Sequence, residues 1–259
     1  MDHILTAARA IAIARRNRAP LGPLDVPPAD EAEGYRVQRA LQEILLPNIG
    51  DLVGYKIGCT TAEAQEYLGI ATPCAGGLFE KSVYDSGAKF SVSDYVRVGV
   101  ECEIAVRLMR DLTPGEAPFT AEWVAEAVDA YHPAIEIVDD RYAKWETIGV
   151  PTLIADDFFA AGCVLGPAVA RSAAPDLKSV VGRVLVNGEE AGRGTGADVL
   201  GHPHNALAWL ANHLAAEGNG LHAGQIVLTG SLAKPVWPKA GDKVRMELKG
   251  LGNVEASFV

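Results

Sequence analysis

Two glutamates stand two residues apart inside an apolar run, Val98-Gly99-Val100-Glu101-Cys102-Glu103-Ile104-Ala105-Val106. β-Branched and apolar residues dominate this run, so it reads as a strand. Side chains alternate across a strand, which puts Val100, Cys102, Ile104, Val106 and Leu108 on one face. Glu101 and Glu103 then project together from the other, beside little more than Gly99 and Ala105. Two carboxylates about 4 Å apart repel by roughly 4 kcal/mol at an effective dielectric near 20, a cost that a cation between them removes. Oxygen ligands on a rigid element suit a hard divalent cation, Mg²⁺ or Mn²⁺. A solvated strand face is the competing reading.

Other residues fit the same chemistry. Glu136 lies in Pro133-Ala134-Ile135-Glu136-Ile137-Val138, an acid inside a second apolar run. Acids are seldom buried without a partner, so Glu136 either faces solvent or joins the first two in a carboxylate cage. Lys56 sits in Gly54-Tyr55-Lys56-Ile57-Gly58. A desolvated lysine has a lowered pKa and works as a general acid/base; a surface lysine laying its stem on apolar neighbours is the alternative. The hydroxyls and amides of Thr229-Gly230-Ser231-Leu232 suit a carboxylate ligand. Gly192-Arg193-Gly194-Thr195-Gly196 lacks the phosphate-loop lysine and spacing and reads as a flexible loop. His202-Pro203-His204 reads as a helix entry with proline in the first turn.

The elements that must position these residues fall into two parts. A helix is predicted over residues 1–18, followed by a proline-rich connector, Leu21 to Pro28. Asp30 and Glu33 have the spacing of a capping box for a second helix that stops before Pro47. Residues 1–50 thus form a helical segment ahead of a β-rich body over 51–259. In that body short strands are expected at Val53–Ile57, Val96–Met109, Ala134–Val138, Cys163–Leu165, Val184–Val186, Gln225–Leu228 and Lys243–Leu248. Helices are expected at Ala121–Ala130, capped by Thr120, and at Asn205–Ala216. The order is not a regular βαβ alternation, so the class is α+β rather than a doubly wound sheet.

Composition narrows the function. The chain has 259 residues and a formal net charge of −10, and no Lys/Arg stripe offsets that charge. Nucleic acid and anionic membranes are poor partners for such a surface. No apolar stretch is long enough for a membrane span, and Arg15, Arg16 and Arg18 follow the first apolar run rather than precede it, the wrong order for a signal peptide. Four dispersed cysteines without a CxxC pair suggest a reduced, cytoplasmic setting.

In combination these segments resemble the fumarylacetoacetate hydrolase superfamily, and within it the 2-oxo-4-pentenoate hydratase / 4-oxalocrotonate decarboxylase branch. The resemblance runs through Gly54–Gly58, Gly76-Gly77-Leu78-Phe79, Glu101-x-Glu103, Pro133–Arg141, Gly201–Asn212 and Thr229–Leu232, in family order over about residues 30–259. It implies a mixed β-roll or sandwich body with peripheral helices. It assigns Glu101, Glu103 and Glu136 to Mg²⁺ or Mn²⁺, Lys56 to acid/base chemistry and Ser231 to the substrate carboxylate. Glu80 enters as a further catalytic candidate, and Lys234 and Asp156 as substrate-binding candidates. The implied activity is hydration of a 2-hydroxy-2,4-dienoic acid to a 4-hydroxy-2-oxo acid. Alternatives are an oxalocrotonate-type decarboxylase, an acylpyruvate-type C–C hydrolase, or a silent subunit of a partner enzyme. A homo-oligomer is expected, with a partner decarboxylase or hydratase as a further association. Two departures stand out: Lys81 replaces a second acid after Glu80, and Phe158 and Phe159 follow Asp156-Asp157 where relatives carry smaller residues.

Overall fold

The computed structural model describes residues 3–259. Its helices are α1 (His3–Asn17), α2 (Glu31–Ile49), α3 (Ala62–Leu68), α4 (Ala121–Glu126), α5 (Val150–Ala155) and α6 (Pro203–Ala216). Its strands are β1 (Leu52–Gly58), β2 (Cys74–Phe79), β3 (Val83–Asp85), β4 (Ala88–Phe90), β5 (Val98–Leu108), β6 (Val128–Asp139), β7 (Ala160–Leu165), β8 (Val169–Ala170), β9 (Val181–Val186), β10 (Glu189–Thr195), β11 (Ile226–Ser231), β12 (Lys243–Leu248) and β13 (Gly252–Phe258).

Eight strands make one sheet in the order β2-β1-β11-β5-β6-β7-β3, with β8 paired to β6. The two ends of that order, β2 and β3, are consecutive in the chain, joined only by the turn Glu80–Ser82. The sheet therefore bends round on itself into a roll, and β2 comes into contact with β7. One face of the sheet lies inside the roll. There Leu78, Ala105, Ala134, Cys163, Ile226 and Leu228 form a small apolar cluster of their own. The other face carries Val100, Cys102, Ile104, Val106 and Leu108, all buried in the main core as the alternation requires. The second sheet, β10-β9-β12-β13-β4, packs against that face through β5 and β6. The α+β class with a mixed roll and peripheral helices is thus the observed architecture.

The amino-terminal helices share the main core with the sheets: Ala8, Ile11, Val37 and Leu41 are buried in it. Polar contacts tie them to the body as well. Gln38 Nε2 donates to the carbonyls of Ala75 and Ile154, each at 2.8 Å, and Tyr35 Oη accepts from the Ala75 amide at 3.0 Å. Asp30 caps α2 by accepting from the Glu33 amide. The helix runs past Pro47 to Ile49, beyond the predicted stop. The proline removes one hydrogen bond in the last turn, where the Glu43 carbonyl that loses it is on an exposed residue.

Two further expectations are corrected. The helix begun at Thr120 ends at Glu126, because Val128–Asp139 is drawn into the long strand β6. The stretch Gly192–Thr195, expected as a flexible loop, belongs to β10 and pairs with β9. Asn187 and Gly188 join these strands with φ of +53° and +89°. That is the tight hairpin turn that Asn-Gly favours, since both positions need a left-handed backbone.

Candidate metal and active site

The antiparallel register of β5 and β6 sets Glu101 directly opposite Glu136, and Glu103 opposite Ala134. Opposed residues share a face, so all three carboxylates enter the roll together. One oxygen from each lies within 4.8 Å of the others. Glu103 and Glu136 are fully buried, and Glu101 is half-buried at the edge. The third wall is β11, where Ser231 pairs with Glu103. The Gly230 amide donates to Glu103 Oε2 at 2.8 Å. Gly230 has φ +115°, and a Cβ there would lie 2.2 Å from Thr60 Oγ1, so only glycine lets the backbone approach the carboxylate.

Lys56 arrives from β1, flanked in register by Leu228 of β11 and Gly76 of β2. It is 2% exposed. Its Nζ lies 3.1 Å from Glu136 Oε1 and donates to the Phe158 carbonyl at 3.1 Å. The Phe158 ring centroid is 5.4 Å away. The approach to Glu136 is an ion pair whose angle is not that of a hydrogen bond. Both Glu136 oxygens and Glu103 Oε1 consequently have no hydrogen-bond donor.

Two buried acids and a half-buried one face one buried lysine, and the electrostatics follow from that imbalance. Burial, then the charge of Glu136, pushes the Glu101 carboxyl up to about 7. Burial, then Glu136 and Glu101, holds Glu103 well above the ordinary range. Burial also raises Glu136, against the pull of Lys56. On Lys56 burial works to lower the ammonium, but Glu136, Glu101 and Glu103 outweigh it and hold it up. Three converging carboxylates, two of them with buried oxygens that no donor reaches, lack one thing, a hard cation. The donor set fits a divalent ion, which Glu101, Glu103 and Glu136 would hold.

The remaining candidates lie elsewhere. Ser231 is half-buried beside Glu103, with its Oγ donating to the Ala233 carbonyl at 2.6 Å. Lys234 is exposed and pairs with Glu63 of α3 at 3.1 Å, outside the cluster. Glu80 is exposed on the turn after β2, against Gly50, at the end of the strand remote from Gly76 and Lys56. Asp156, expected to meet substrate, is instead fully buried, with its carboxylate committed to Arg15, Arg141 and Tyr142. Two arginines compensate its burial and hold its carboxyl low. Helix α3 carries Glu63 and Glu66 and no histidine. His132 lies on the site face of β6, four residues from Glu136, with Nδ1 bound to the Gly166 carbonyl at 2.9 Å. Two participants had escaped the sequence reading: the Phe158 carbonyl, which no side-chain pattern reveals, and Arg15. The acid pair Asp156-Asp157 in an apolar stretch was the available hint that a cation must reach it.

A mixed roll with three carboxylates converging inside it is the fold and site of this chain, and the chain belongs to the fumarylacetoacetate hydrolase family: residues 62–259 match the family model described as Fumarylacetoacetate (FAA) hydrolase C-terminal. Among its relatives is the 2-keto-4-pentenoate hydratase of Paraburkholderia phymatum, 35% identical over 99% of this chain and 98% of the relative. The 2-hydroxyhexa-2,4-dienoate hydratase of Comamonas testosteroni is 36% identical over 80% of this chain and 78% of its own length. Among solved structures, the 4-oxalocrotonate decarboxylase from Pseudomonas putida G7, complexed with magnesium and adipate, superposes with a TM-score of 0.94. That pair is 28% identical, covering 100% of this chain and 98% of the other.

Proposed function

We propose that the protein is a divalent-metal-dependent lyase that hydrates 2-hydroxy-2,4-dienoic acids to 4-hydroxy-2-oxo acids, with Mg²⁺ or Mn²⁺ held by Glu101, Glu103 and Glu136. The observation that carries this reading is the convergence of those three carboxylates, oxygens within 4.8 Å, beside a buried lysine. Similarity over 99% of the chain to an enzyme named as a 2-keto-4-pentenoate hydratase supports the reaction. When bound, the cation supplies Lewis-acid stabilisation of charge developing on the substrate's 2-oxygen.

Lys56 handles the protons. Its ammonium has three N–H groups, and Glu136 and the Phe158 carbonyl engage at most two. Once the 2-hydroxyl has given its proton to solvent, the third is free to protonate the far end of the resulting dienolate, which gives the α,β-unsaturated ketone. Neutralising the carboxylates removes what holds the ammonium up, leaving burial to pull it toward the range useful for acid–base work. The resulting amine can then take a proton from the water that adds at C4 and return it to C3, which completes the 4-hydroxy-2-oxo acid. Ser231, on the rim beside Glu103, holds the substrate carboxylate once its hydroxyl turns from the Ala233 carbonyl. The apolar cluster behind the acids keeps stray water out of the roll.

Decarboxylation is the second reading, favoured by the close superposition on the oxalocrotonate enzyme. Incubating the pure protein and Mg²⁺ or Mn²⁺ with 2-hydroxypentadienoate and with oxalocrotonate separates the two. Hydration adds the mass of one water, and decarboxylation releases carbon dioxide. No turnover of either substrate would count against both.

A further inference from the structure

We propose that Arg15, on the amino-terminal helix α1, is a positioning residue for Lys56, acting through the turn that presents the Phe158 carbonyl. The inference rests on Lys56 as the acid/base of the proposed reaction. Asp157, Phe158 and Phe159 have φ of +54°, +47° and +66°, three consecutive non-glycine residues in the left-handed region. Bulky L-residues rarely adopt that conformation, and it persists only where the surroundings over-determine it. Here it delivers the Phe158 carbonyl to Lys56 Nζ at 3.1 Å and lays the Phe158 ring against Gly58.

Buried charge holds the turn at both ends. Arg15 donates through Nε to Asp156 Oδ1 at 2.5 Å, and through Nη2 to the Asp156 carbonyl at 2.8 Å and Asp157 Oδ2 at 3.3 Å. Arg141 donates to Asp156 Oδ2 and to the carbonyls of Asp156 and Ala160. Gln42 Nε2 donates to Asp157 Oδ1 at 2.6 Å. Of the two arginines, only Arg15 bonds both aspartates. Without it, two buried carboxylates face a single guanidinium and the turn loses the contact that joins its first two residues. The Phe158 carbonyl then drifts, and Lys56 is left to Glu136 alone. A helix that contributes no group to the reaction thereby sets where the reacting ammonium sits.

The test is a double-mutant cycle in the full-length enzyme with 2-hydroxypentadienoate. Arg15→Met should lower kcat about 10- to 100-fold, the scale of a displacement near 1 Å, while KM changes little. Mn²⁺ affinity, measured by calorimetry with the metal alone, should be unchanged. Arg15→Lys should recover much of the loss, because an ammonium can still reach Asp156. In a Lys56→Met background, Arg15→Met should cost nothing further. If Arg15→Met does not fold, Arg15→Lys and Gln42→Leu carry the test, each with a smaller kcat loss that also vanishes without Lys56. Unchanged kcat in the Arg15 variants, or equal fractional losses with and without Lys56, would overturn the proposal. Normal turnover by Lys56→Met alone would instead remove the acid/base reading on which it rests.

Discussion

Glu136 offers two oxygens without a hydrogen-bond donor and Glu103 offers one. Glu103→Gln or Glu136→Gln should therefore weaken Mn²⁺ binding by more than the roughly 10- to 100-fold typical of losing an outer-sphere partner. Calorimetry reads this directly, and affinity equal to the parent would remove the acids as ligands. Lys56→Met should leave metal affinity intact and cut turnover on the order of 10²–10⁴-fold. Steady-state kinetics at saturating metal check it. The raised carboxyls also set a pH dependence. In the metal-free protein Glu101 is held up at about 7. A carboxyl raised in the fold stabilises fully below its unfolded pKa and loses that contribution as pH rises through the folded one. The metal-free melting temperature should thus fall between about pH 5 and pH 8, and Mg²⁺ should restore more at the upper end, since ligands bind deprotonated. A metal-induced increase that is largest at pH 5 would contradict this.

At the scale of elements, the Asn187-Gly188 hairpin sits on the edge of the second sheet, apart from the carboxylates. Gly188→Ala places a side chain at φ +89° and should cost about 1–2 kcal/mol. Calorimetry should show a melting point lower by several degrees, with kcat/KM unchanged. The same hairpin shows what the sequence revealed and what it hid. Lys243–Leu248 and the glutamate strand were legible because alternation or a β-branched run marks them locally. The strand Glu189–Thr195 was not, since its glycines and charges suit an edge that packs few side chains; Asn-Gly was the clue. At the site, the acids and Lys56 were legible as charges in apolar runs. Asp156 was named from the resemblance, and its burial against Arg15 was not legible because that partner lies on another element far along the chain. Glu80 and Lys234 rested on resemblance alone, and their exposed positions follow from turns that side-chain patterning does not specify.

Over the whole molecule, α3 carries Glu63 and Glu66 but no histidine, so it offers no His/Glu dyad to activate water for C–C cleavage, and little cleavage of acylpyruvates is expected. Mass spectrometry of products should find hydrated 2-oxo acid, and efficient release of pyruvate with a second acid would refute that. His132, pinned to the Gly166 carbonyl, would then be the residue to test. The strand order β1-β11-β5 has a consequence for synthesis on the ribosome. The lysine strand and the first glutamate strand are not neighbours; β11, made from residues 226–231, stands between them and pairs with both. The two glutamate strands pair with each other and can form a ladder early, whereas contacts between distant segments form late. A nascent chain that stops short of residue 226 therefore carries all four charged groups yet lacks the strand that pairs with both the lysine strand and the first glutamate strand. Translation itself delays the meeting of lysine and acids in the half-made protein until β11 slots in.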